Sequence, residues 1–120
     1  MDSFTLAYLE CALWSSTDNS DDSGGEPLDA NYDIDDIAPE SIAIVEKECQ
    51  DFRDMAADLL ETIGADDEQN GHDFWLTRNG HGAGFWDRGY GKSGDELSKI
   101  AKSFGSCDPV VGDDGKVYFE

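Results

Sequence analysis

The sequence predicts an α+β fold: about three helices packed on a small antiparallel sheet of about four strands, in a single domain over residues 1–120. Three observations carry that expectation. Apolar residues recur at helical spacing in three separate stretches, aromatic-rich runs flank an Asn-Gly pair, and two closing apolar runs flank Gly112-Asp113-Asp114-Gly115. With 120 residues, 38% of them hydrophobic and 11% aromatic, the chain can build one modest core without disulfides.

The first helix is expected over Phe4 to Trp14, where Leu6, Leu9 or Leu13 and Tyr8 or Ala12 stand three and four apart and Ser3 fits an N-cap. Residues 15–38 then read as a long acidic loop, with Gly24-Gly25, Pro27 and a dense set of Asp. Leu28, Tyr32, Ile34 and Ile37 are placed to anchor its second half to the core. Loops of this length in compact domains are usually functional or disordered.

The clearest helix starts at Pro39 and stops at Gly64. Pro suits the first helical position, Glu40 suits the first turn, and Gly suits the end. Val45, Cys49, Phe52, Met55, Ala56, Leu59 and Ile63 form its apolar stripe. On the opposite side Asp51, Asp54, Asp58 and Glu61 follow at steps of three, four and three.

Beyond this helix the period changes. Asp73 to Thr77 and Ala83 to Asp87 read as two strands joined by Arg78-Asn79-Gly80-His81-Gly82, because Asn-Gly tolerates the positive φ of a tight turn. Phe74, Trp75, Phe85 and Trp86 would then be core, and Arg78 would pair with Asp87 across the hairpin. Ser93-Gly94-Asp95-Glu96 matches a capping box that opens a third helix, with Leu97, Ile100, Ala101 and Phe104 on its inner face and Gly105 at its end. Pro109 to Val111 and Lys116 to Phe119 form the second hairpin.

Charge is the outstanding feature. The formal net charge is -20, whereas a small domain is comfortable at a magnitude of roughly 2–8. Residues 1–70 hold 20 Asp and Glu against only Lys47 and Arg53; residues 71–120 hold eight acids and six bases. Solubility or a salt-rich host are the plain explanations, but the asymmetry between halves points to an interaction surface. Helix side chains three or four residues apart stand roughly 5–6 Å from one another, a spacing near that of successive phosphates on a nucleic-acid strand. Asp51, Asp54, Asp58 and Glu61, together with Asp21, Asp22, Asp35 and Asp36, are therefore candidate contacts for a nucleic-acid-binding protein. The same charge repels nucleic acid itself and anionic membranes.

Arg78, Asn79, His81, Asp87 and Arg88 gather at the expected hairpin as a second candidate site, with His72 and Asp73 nearby. No nucleophile motif, metal-ligand spacing or phosphate-cradling glycine motif accompanies them, so no catalytic residue, metal or cofactor is expected. Asp18 to Asp29 superficially resembles a twelve-residue calcium loop. It departs at Ser23 in place of the turn glycine, at Gly25, and at Asp29 in place of the bidentate Glu. Cys11, Cys49 and Cys107, an odd count without metal spacing, suit free buried thiols in a reducing cytoplasm. The start Met1-Asp2-Ser3 is acidic where a signal peptide is basic, and no apolar run approaches the ~18 residues of a membrane span.

Several of these segments resemble a family of small acidic proteins encoded by bacteriophages and prophages, whose members have no assigned activity. The likeness rests on Cys11-Ala12-Leu13-Trp14-Ser15-Ser16-Thr17-Asp18, on Pro27-Leu28-Asp29-Ala30-Asn31-Tyr32, on the run from His72 to Gly89 and on Val111 to Gly115; Phe74 to Asp87 is its most specific part. This chain departs in its extra acids after Asp18 and in the Met55 to Asn70 region. The resemblance implies a phage setting inside a bacterial host and favours binding over catalysis. The leading expectation is a phage accessory protein that mimics nucleic acid and inhibits a host defence, nuclease or repair protein. The alternative is a small structural or regulatory module that binds through the 78–88 hairpin, its acids serving solubility.

Overall fold

The computed structural model describes residues 1–16, 26–80 and 83–120. Among them the fold is mostly helical, which overturns the expectation of three helices on a four-stranded sheet. Five helices are present: α1 (Ser3–Ser15), α2 (Pro39–Met55), α3 (Ala57–Ile63), α4 (Asp67–Arg78) and α5 (Lys92–Lys102). The one sheet has two strands, β1 (Pro109–Val111) and β2 (Val117–Phe119), antiparallel with Val110 opposite Tyr118. Of the two expected hairpins, only the second forms.

The first hairpin is replaced by α4. Asp73 to Thr77 are its last turns, and Asp66 caps its start by accepting from the Gln69 N–H at 2.8 Å. From Asn70 to Arg78 this helix is buried at every position but His72. Its buried positions include polar ones, Asn70, Asp73, Thr77 and Arg78, so no apolar helical stripe shows in the sequence and the short run Phe74 to Leu76 cannot be told from a buried strand. Gly80, at φ +69°, turns the chain out of the helix, and Phe85–Asp87 form a single 3-10 turn. The Phe85 N–H donates to the Thr77 hydroxyl at 3.1 Å, which fixes that turn against α4.

Gly71 is what brings α1 and α4 together. A Cβ there would fall on the Phe4 carbonyl oxygen, so only glycine permits this approach. The pair supplies much of the core: Tyr8 meets Trp75 edge-on at 5.3 Å, and Phe74 stacks on Phe52 of α2 at 4.2 Å. The cap of α1 is Asp2 rather than Ser3, its carboxylate accepting from the Thr5 N–H at 2.8 Å.

The expected helix from Pro39 to Gly64 starts and stops as predicted but breaks at Ala56, where φ is -105° and ψ 10°. Val45, Cys49, Phe52 and Ala56 are buried, whereas Met55 is 60% exposed. α5 lacks the expected capping box. It begins at Lys92 after Gly91, and the Asp95 N–H bonds the Gly91 carbonyl. Its face is as expected, with Leu97 and Ala101 buried and Ile100 and Phe104 packed beside them.

Between α1 and α2, Leu28 and Ile37 are buried and Tyr32 and Ile34 pack against the core, as their spacing implied. Leu28–Ala30 and Ile34–Asp36 are 3-10 turns. The Leu28 N–H donates to the Ser16 carbonyl at 2.9 Å. β2 ties the closing hairpin to the start of α2: Ala38 N–H donates to the Val117 carbonyl at 2.9 Å, and Phe119 N–H to the Ser41 hydroxyl at 3.1 Å.

Candidate functional site

Because α2 breaks at Ala56, the row of four carboxylates is shared between two helices. Asp51 and Asp54 lie on α2 and Asp58 and Glu61 on α3. Asp51 pairs with Lys47 at 2.8 Å and Asp54 accepts from the Gln50 amide at 2.9 Å, while Asp58 and Glu61 are exposed. Asp35 is exposed in the second 3-10 turn; Asp36 beside it accepts from the Asp33 N–H at 2.9 Å. Asp21, Asp22, His81 and most of the Asp18–Asp29 calcium-like segment lie outside the described residues.

Both bases of the acidic half are already engaged. Lys47 holds Asp51, and Arg53 reaches Asp2 at 2.8 Å and Asp67 at 3.8 Å while its guanidinium covers the Phe4 ring at 5.2 Å. Slight burial pushes the Asp2 carboxyl up, but the Thr5 bonds and the Arg53 charge outweigh it and hold it below the usual range. Glu48 is half-buried beside Arg78, whereas Glu10, Glu40, Glu46 and Glu68 stand exposed.

The residues assigned to the hairpin separate into two groups. Arg78 is internal, its side chain 3% exposed, and does not meet Asp87. It donates to the carbonyls of Gly105 at 2.9 Å and Phe104 at 3.0 Å and to the Tyr8 hydroxyl at 3.0 Å, and it pairs with Glu48 at 3.2 Å. Asn79 also turns inward, accepting from the Cys107 N–H at 2.7 Å. Trp86, Asp87 and Arg88 face out, and Trp86, expected in the core, is 49% exposed. Arg88 grips the fully buried Asp73 with two nitrogens, the shorter contact 2.9 Å.

A groove that sequence reasoning missed runs between α1 and the start of α4. It encloses about 570 Å³ and is lined from α1 by Ser3, Leu6, Ala7, Glu10, Cys11 and Trp14. Asp66, Glu68, Gln69, His72 and Arg88 complete it. Trp14 is 61% exposed and lies beside the His72 ring, centroids 6.2 Å apart. The inward His72 Nδ1 is 3.8 Å from Asp73 and has no hydrogen-bond partner. One sequence signal was available. The first helix carries apolar residues on every side, more than a single packing face needs.

Cys11 and His72 line this groove with Asp73 buried behind His72, the residue types of a thiol hydrolase. Burial first, and the Asp73 charge second, push the Cys11 thiol up to about 12. Nucleophilic cysteines are shifted the other way, so Cys11 is held as a thiol at neutral pH. Burial likewise pushes Cys49 up to about 12 and raises Cys107. Among the described residues no His, Cys, Asp and Glu group is arranged to hold a metal, and no helix is long and apolar enough to cross a membrane. No family model, curated protein or solved structure matches the chain.

Proposed function

We propose that this protein acts by binding: its acidic surface occupies the nucleic-acid site of a basic host protein, in the setting of a phage or prophage. One observation carries the reading. Both bases in residues 1–70 are tied to carboxylates of the same chain, and most of the described acids there are left on the surface. Such a surface attracts Lys- and Arg-rich sites, speeds encounter with them and repels nucleic acid. The phage setting, with defence, nuclease or repair proteins as target class, is supported by the resemblance of the Phe74 to Asp87 run. The mimicking row is bent, because its halves stand on α2 and α3; it suits a curved basic cleft better than a flat one. Among the described residues of 78–88, Arg78 and Asn79 turn inward and Arg88 is held by Asp73, so a module binding there would rely chiefly on Trp86 and Asp87.

The test is a pull-down from bacterial lysate with the parent chain and with Asp51→Asn, Asp54→Asn, Asp58→Asn and Glu61→Gln combined. Proteins retained by the parent should bind nucleic acid, be displaced from the parent by duplex DNA, and be shed by roughly 0.5 M salt, where exposed charges reach only a few ångströms. The neutralised variant should retain much less of them. Partners that resist salt and bind no nucleic acid would refute the reading.

A further inference from the structure

We infer that the α1–α4 groove is a subsite for an arginine side chain, presented by a basic segment of the protein partner. The inference rests on the proposed acidic binding role and adds to it a specific place and a specific residue type. Its size, about 570 Å³, falls within the roughly 300–1,000 Å³ of ligand pockets.

The lining selects the occupant by charge. Arg88 is the one Lys or Arg in the wall, and its guanidinium is already matched by Asp73, whose side chain is fully buried. Glu10 from α1 and Glu68 from α4 are exposed and have no basic partner among the described residues. An anion would meet these carboxylates, and a purely apolar ligand would desolvate them without compensation. A cation is attracted.

The apolar wall selects among cations. Leu6 is 38% exposed and Trp14 61% exposed, so both offer apolar surface to an occupant of the groove. An arginine can lay its methylene stem along Leu6 and Ala7 and place its planar guanidinium against the indole, the aromatic face that cations favour most. Its fork of N–H donors can then meet a glutamate with two hydrogen bonds. Lysine has a rounder, more strongly hydrated head and no such fork, so the groove should prefer arginine.

The experiment uses the full chain and three synthetic twelve-residue peptides, alike except that their four basic positions hold arginine, lysine or uncharged citrulline. Binding is followed by calorimetry and by the Trp14 indole N–H resonance. We expect the arginine peptide to bind more tightly than the lysine peptide, the citrulline peptide not to bind, and the Trp14 signal to move. Trp14→Ala should weaken the arginine peptide about fivefold, and Glu10→Gln with Glu68→Gln roughly tenfold or more. All three residues are exposed, so the variants should fold, which circular dichroism checks. The Asp51, Asp54, Asp58 and Glu61 variant should bind both basic peptides more weakly, with the ratio of arginine to lysine affinity unchanged.

Equal binding of arginine and lysine peptides, with parental affinity in the Trp14 and Glu10/Glu68 variants but loss in the helix-row variant, would overturn the groove and leave the acidic-surface reading standing. No binding of either basic peptide at low salt would overturn both. Spermidine displacing the arginine peptide at comparable concentration would mark a polyamine site and overturn the peptide assignment.

Discussion

Arg78 and Tyr8, 70 positions apart in sequence, are joined at the centre of the molecule by a 3.0 Å hydrogen bond from the guanidinium to the phenol oxygen. The same guanidinium closes two carbonyls that follow α5 and pairs with Glu48 of α2. Three helices and the segment that follows α5 are thus fastened through one side chain. Burial alone would lower its pKa, but Tyr8 and Glu48 hold it raised.

Arg78→Ala should therefore destabilise the fold by about 3–5 kcal/mol, the usual cost of removing one partner from a buried charged network. Arg78→Lys should recover only part, since lysine cannot reproduce the planar fork. Urea denaturation measures both. A loss under about 1 kcal/mol in the alanine variant would return Arg78 to the surface role its position beside Asn-Gly first implied.

The two tryptophans of the aromatic run should behave oppositely. Trp75 is 1% exposed and packs on Tyr8 and Phe119, so Trp75→Ala should cost about 3–5 kcal/mol. Trp86 is half exposed, and Trp86→Ala should cost about 1 kcal/mol or less. Thermal melts of the two variants compare them directly.

Gly71→Ala offers a test by sign. At an ordinary helix position this change gains roughly 1 kcal/mol of helix propensity. Here the added methyl would strike the Phe4 carbonyl and push α1 from α4, so a net loss of about 1–3 kcal/mol or more is expected. A stabilised variant in denaturant titration would mean that the two helices do not approach as described.

Tyr118 and Asp114 form a surface pair with a pH signature. The Tyr118 hydroxyl donates to the Asp114 carboxylate at 2.6 Å, which pushes the tyrosine up to about 12 and holds the aspartate below the carboxylate range. Since the folded-state tyrosine pKa exceeds the unfolded value of about 10, its contribution to stability is complete below pH ~10 and lost as pH rises toward 12. The aspartate's contribution is present above pH ~4 and lost as pH falls through its lowered value. Ultraviolet titration of Asp114→Asn should show one tyrosine ionising nearer pH 10 than in the parent; an unchanged curve would mean that the pair does not form.

What was legible in the sequence was whatever had local punctuation. Pro39 and Gly64 bracket the second helical region, Gly112 to Gly115 turn the closing hairpin, and Leu28 and Ile37 sit inside a polar stretch. The aromatic run failed because α4 buries polar residues beside apolar ones, Asp73, Thr77 and Arg78 among them, so no apolar stripe reveals the period. Asp66 followed by Gln69 is a capping pattern that would have exposed the helix. The inward turn of Arg78 was not legible, and of the groove beneath Trp14 only the surplus of apolar residues around the first helix was. Both depend on α1 packing against α4, a contact between segments about 60 residues apart that no local pattern specifies. The acidic surplus was plain in composition, but the break at Ala56 that divides its row was not.

The 2.9 Å bond between the Leu28 N–H and the Ser16 carbonyl has a consequence for how this molecule can change over generations. It pins together the two ends of the chain stretch that carries Asp18, Asp21 and Asp22. Lengthening a closed segment costs only about 0.6 kcal/mol for each doubling where that segment is flexible. Insertions between Ser16 and Leu28 are therefore the way to lengthen this chain without drawing on the α1–α4 contact.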